Sequence, residues 1–98
     1  MENFEALGRY VTAKEQAQAF ANQRNNHLST AVGIIERSRN PISGRALAYD
    51  FDATPAIEAL NKAAEAHSNM MTAVEEANRQ AEACGKPKLI VEKPYTSR

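Results

Sequence analysis

TPAIEALNKAAEAHSNMMTAVEEANRQAEACGKP, residues 54–87, decides the fold. Thr54 supplies a hydroxyl suited to an N-cap, and Pro55 follows at the first helical position, where its missing N–H costs nothing. At the other end, Gly85 suits the left-handed position after a helix, and Pro87 stands just beyond it. Between these signals the apolar stripe reads Ile57, Leu60, Ala64, His67, Met71, Val74, Ala77, Ala81 and Cys84. Its mean step is near 3.4 residues, closer to a heptad seam than to a free 3.6 period. Glu58, Lys62, Glu65, Asn69, Thr72, Glu76 and Arg79 occupy the opposite face. The spacing predicts one helix over residues 55–84.

Upstream, a second long helix is expected from about residue 4 to 38. Its stripe is Tyr10, Ala13, Ala17, Phe20, Ala21, Leu28, Ala31, Val32 and Ile35, while Phe4, Leu7 and Val11 form a patch a quarter-turn away. The polar run 22–27 contains Asn25 and Asn26, poor helix formers, so a break there is the competing reading. Arg37, Arg39 and Pro41 end the element. Residues 39–54 form a loop, long for a connection between helices. The tail, 85–98, reads as extended, and Leu89, Ile90 and Val91 have no partner strand in the chain, so the tail lies against the helices, pairs with another chain or stays mobile.

The expected architecture is therefore all-α: one helical domain over residues 1–98, folded as a long antiparallel helical hairpin. Reversal between Arg39 and Thr54 brings Tyr10 near Ala81, Arg24 beside His67, Phe20 opposite Met71, Leu28 opposite Ala64 and Ile35 opposite Ile57. The chain holds 18 alanines against 17 Leu, Ile, Val and Phe together. A seam of methyl groups stabilises far less per residue than one of large side chains. Completion into a four-helix bundle by homodimerisation is expected, with Phe4, Leu7, Val11, Leu89, Ile90 and Val91 as the interaction residues.

Charge narrows the function. Twelve basic side chains balance twelve acidic ones, so nucleic acid is not the expected partner. The charge is uneven: the second helix is acidic, and the first helix and the tail are mildly basic. One cysteine, Cys84, excludes an intrachain disulfide. The start, Met1-Glu2-Asn3-Phe4-Glu5, lacks the bases and apolar run of a secretory signal, and no apolar run reaches membrane-spanning length. A soluble cytoplasmic protein is the expectation.

No catalytic constellation emerges. Residues 46–54, ALAYDFDAT, resemble the first motif of haloacid-dehalogenase-type phosphatases, an apolar strand followed by D-x-D-x-T. The resemblance implies Asp50 as nucleophile, Asp52 as acid/base and magnesium nearby. It covers fewer than ten residues, and the parallel sheet and later acids of that family have no room here. Asp50 and Asp52 read instead as loop acids near a helix N-terminus. Asp50, Asp52 and Glu58 do not match a calcium-loop spacing. Cys84 lies more than four turns from His67 on the same helix, too far for a thiol–imidazole pair. His67 reads as a seam histidine. Neither a metal, a cofactor nor a small-molecule substrate is expected. The function expected is that of a small non-enzymatic helical interaction or structural protein engaging an unidentified protein. The alternatives are a regulatory protein binding nucleic acid as an oligomer and, third, a phosphate-handling enzyme centred on Asp50 and Asp52.

Overall fold

The computed structural model describes residues 3–41, 44 and 47–93. Two α-helices, α1 (Phe4–Ser38) and α2 (Thr54–Cys84), are its only regular elements among those residues. They pack against each other as an antiparallel hairpin of 75 × 30 × 14 Å. The radius of gyration is 20.0 Å, against about 13 Å for a globular domain of this length. The molecule is a thin rod, so most of each helix has neighbours on one side only.

α1 runs unbroken through residues 22–27. Asn3 caps it: its side-chain oxygen accepts from the Ala6 N–H at 3.0 Å. α2 begins at Thr54 with Ala53, not Thr54, at the N-cap and no side-chain cap bond from it. The Asp52 side chain, two residues before Thr54, accepts the Thr54 N–H at 3.0 Å. That bond holds the Asp52 carboxyl below the ordinary aspartate range, because the Thr54 N–H favours the ionised form. A depressed folded pKa adds stability above the unfolded value of 3.8 and loses it as pH falls through the lowered one. Asp52→Ala is therefore expected to speed exchange of the Thr54 amide at neutral pH, and the difference from the parent should vanish in strong acid. At the far end Gly85 sits at φ 70°, and the Lys86 N–H closes the turn on the Ala81 carbonyl at 3.0 Å. Any residue with a Cβ there is strained.

The seam differs from the expected stripe over half its length. On α1 the inward positions are Ala6, Tyr10, Ala13, Ala17, Phe20, Arg24, His27, Ala31, Ile34 and Ser38, in an unbroken alternation of four- and three-residue steps. On α2 they are Ala59, Ala63, Ala66, Met70, Ala73, Ala77 and Ala81, joined by Val74. Of the thirteen buried apolar residues among those described only Tyr10, Met70 and Val74 are not alanine. The expected stripe follows this seam from residue 10 to Phe20 and again at Ala31 on α1, and from Val74 onward on α2. Elsewhere it follows the neighbouring row, and Leu28, Val32, Ile35, Ile57 and Leu60 are exposed rather than buried.

The physical reason lies in the alanines. Rows such as Ala59, Ala66, Ala73 repeat every seven residues and let the two backbones approach closely along a straight seam. Apart from Met70 and Val74, the larger inward side chains, Tyr10, Phe20, Arg24, His27 and Ile34, all come from α1 and pack against the methyl groups of α2. The expected register survives this rotation. Tyr10 and Ala81 share a cluster, and Phe20 and Met71 pack on another, made of Ala17, Met70, Ala73 and Val74. Arg24 lies against His67, with its guanidinium 3.1 Å from Nδ1 and 3.6 Å from the Met70 sulfur. Arginine only donates, so Nδ1 accepts and the imidazole hydrogen sits on Nε2.

Candidate interaction surface

Two apolar surfaces remain on the rod, one at each end. At the terminal end the chain turns back after Gly85 and lies along the groove between the helices. The Tyr10 hydroxyl donates to the Pro87 carbonyl at 3.0 Å. Asn78 then grips Leu89 twice: its oxygen accepts from the Leu89 N–H at 2.7 Å, and its amide donates to the Leu89 carbonyl at 3.1 Å. A side-chain amide thus does the work of a neighbouring strand, which is why one extended segment can be held by a helix. The Leu89 side chain packs on both core clusters.

Each of these bonds contributes a net ~0.5–1.5 kcal/mol, so the Asn78 pair holds the tail by about 1–3 kcal/mol. Asn78→Ala is expected to free the tail without melting the helices. Amide exchange at Leu89 should then approach the random-coil rate while the helical signal in circular dichroism is kept.

The sequence-derived interaction residues divide on this end. Leu89 is half-buried in the groove, and Leu7 is half-buried on α1. Phe4, Val11, Ile90 and Val91 are exposed. Val11 lines one hollow with Tyr10, Lys86 and Pro87, whereas Phe4 lines another with Gly8, Thr12 and Glu76. Ile90 and Val91 border a third with Lys14, Ala21 and Val74. The structure brings Val11 to the start of the tail and leaves Phe4 on a different flank.

The second surface lies at the loop end, where the large side chains missing from the seam are found. Leu28, Val32 and Ile35 on α1 and Ile57 and Leu60 on α2 are between 39% and 57% exposed. They share one side of the hairpin. Ala21, Leu28 and Ile35 stand seven residues apart on α1, as do Leu60, His67 and Val74 on α2. Ala21 and Val74 both line the hollow beside the tail, so their rows lie on that same side. Leu47, Tyr49 and Phe51 in the loop, 52–62% exposed, add three more large apolar groups. A sequence signal for this surface existed. The stripe from Ile57 to Met71 keeps the seven-residue repeat of the true seam, displaced by one position.

The residues tested for chemistry are placed apart. Asp50 accepts from the N–H of its own neighbour, Phe51, at 2.8 Å, and Asp52 caps α2. Ala46, the first residue of the phosphatase-like stretch, lies outside the described residues, and no strand precedes Asp50 from residue 47 on. Cys84 is half-buried against Tyr10 and its neighbours, far from the Arg24–His67 pair. Among the described residues no three His, Cys, Asp or Glu side chains converge as a metal site requires, and no helix is long and apolar enough to cross a membrane. Comparison with protein-family models, curated proteins and solved structures returned no match.

Proposed function

We propose that this is a non-enzymatic helical interaction protein that works as a homodimer, two hairpins completing a four-helix bundle. One observation carries the reading: ten of the thirteen buried apolar residues among those described are alanine, while six large aliphatic side chains of the same helices, Val11, Leu28, Val32, Ile35, Ile57 and Leu60, are exposed. A methyl-lined seam gives little of the ~1.5–3 kcal/mol available from each fully buried large side chain. Ordering the backbone costs about 1–2 kcal/mol per residue, so a lone two-helix rod of this length is poorly compensated. A second copy buries the displaced residues and supplies the missing core. In this reading the exposed terminal-end residues Val11, Ile90 and Val91 serve a further protein partner, while Leu89 is half-buried in the groove and Phe4 stands on another flank.

Light scattering on the purified chain tests it. The expected mass is twice 10.8 kDa, with a melting temperature that rises with concentration. A mass of 10.8 kDa and a concentration-independent melt at micromolar protein would overturn it.

A further inference from the structure

We infer that the groove under the tail is a recognition site for an extended peptide of a partner protein, and that residues 86–92 occupy it in cis. The ligand it fits carries a basic residue, then a leucine, then a large apolar residue two places further on. The groove lies within one hairpin, so this site stands whether or not the chain is a dimer.

Three observations select this site and this occupant. First, the groove grips main chain. Asn78 offers the Leu89 backbone one acceptor and one donor, and the Tyr10 hydroxyl donates to the Pro87 carbonyl. Every extended segment presents those backbone groups. Main-chain bonds of this kind supply affinity in strand-addition sites, and side-chain pockets supply the choice of ligand. Tyr10 and Asn78 stand on different helices, so the hairpin itself sets the span between them.

Second, the side-chain seats are selective. Leu89 packs on both core clusters. Lys88, beside it, shares a hollow on α2 with Glu75 and Glu82, where Arg79 is engaged by Glu76 at 3.0 Å. A basic residue followed by leucine matches the groove in charge and in shape.

Third, the tail fills the groove incompletely. Side chains of an extended segment alternate, so residue 91 returns to the side of Leu89. Val91 is 44% exposed, and Ile90 between them is 83% exposed. A hollow of about 320 Å³ stays open along Ala17, Ala21, Val74 and Val91. A phenylalanine in the place of Val91 has room to enter it. A second copy would bring the same valine and leave the same gap, so the occupant that fits better is a different chain. The tail is then an internal competitor. It reaches Leu89 four residues after Gly85, and so short a tether keeps it at a millimolar effective concentration. A partner binds only the fraction of chains whose groove is empty, and its apparent affinity falls by that fraction.

The test is fluorescence anisotropy of two labelled peptides with the full chain: the tail sequence 86–92, and the same peptide carrying Val91→Phe. Leu89→Asp removes the chain's own tail from the groove, and its circular dichroism must match that of the parent. Both peptides are expected to bind Leu89→Asp about tenfold or more tightly than the parent, the Val91→Phe peptide being the tighter of the two. Adding Asn78→Ala to Leu89→Asp is expected to weaken binding about tenfold. No binding to a folded Leu89→Asp chain, or equal binding to it and the parent, overturns the site. So does an Asn78→Ala change without effect, or a Val91→Phe peptide no tighter than the tail sequence. If Leu89→Asp does not fold, the parent decides: the Val91→Phe peptide in excess must speed exchange of the chain's Leu89 amide, and unchanged exchange overturns the proposal. Leu89 protection that rises with protein concentration would mean that copies exchange tails, which overturns occupancy in cis.

Discussion

Replacing Ala77 with leucine is expected to lower the melting temperature by roughly 10 °C, whereas the same change at Ala83 leaves it within about 2 °C. Ala77 is wholly buried in the cluster it forms with Tyr10, Ala13 and Ala81, between the two helices. Three added carbons have no void to enter and no flexible neighbour to displace, since most of the surrounding side chains are methyl groups. The helices must separate locally, and overpacking of that kind costs about 1–3 kcal/mol. A domain of this length loses roughly 4–8 °C for each kcal/mol. Ala83 lies nearly two turns further along, on the exposed side of α2, and controls for helix propensity, which favours neither residue strongly. Thermal circular dichroism of the two variants decides the matter. Equal melting temperatures would mean that the alanine seam does not set the helix spacing.

The same seam explains which parts of the fold were legible in the sequence. Both ends of α2 are written in local chemistry: Pro55 and Gly85 act within one turn, and their effects need no partner. The continuity of α1 was legible only in part. Residues 22–27 look weak by propensity, yet Arg24 and His67 meet across the seam and carry the helix through. The seam itself was misread before Val74 on α2 and, apart from Ala31, beyond Phe20 on α1. Hydrophobic periodicity is weighted by side-chain size, so the reading moved from the alanine row to the adjacent row of Leu28, Val32, Ile35, Ile57 and Leu60. Both rows share the seven-residue repeat. What separates them is close approach of backbones, a property of the pair of helices that neither helix shows alone.

The tail was legible only in part. Leu89 to Val91 read as extended with no partner strand, so packing against the helices was one of three open readings, and nothing local chose between them. Asn78 is eleven residues away and on a helix. Its amide presents one donor and one acceptor, the pair a neighbouring strand would present, and this match appears only when the chain reverses at Gly85. The loop-end surface follows from the seam. Once the alanines are placed inside, the large residues have nowhere else to be.

Tyr10 is the position where removal of a side chain is expected to do the most damage. It is the largest buried residue, packing with Ala13, Ala77 and Ala81 beneath half-buried Cys84 and Leu89. Truncating a buried aromatic to alanine costs about 3–5 kcal/mol, the higher values applying where the site cannot collapse. Here it cannot, because the neighbouring alanines have no side chain to swing into the gap. Tyr10→Ala is therefore expected to lower the melting temperature by roughly 15 °C or more. Cys84 should become reactive toward a thiol reagent in the same variant, since the ring beside it is gone. Tyr10→Phe separates packing from bonding. It keeps the ring and removes only the hydroxyl that holds the Pro87 carbonyl, a net loss of about 0.5–1.5 kcal/mol. Faster amide exchange in the tail with little change in the helical melt is the expected signature. If Tyr10→Ala costs no more than Tyr10→Phe, the ring does not hold the terminal end together, and the tail's hydrogen bonds do so instead.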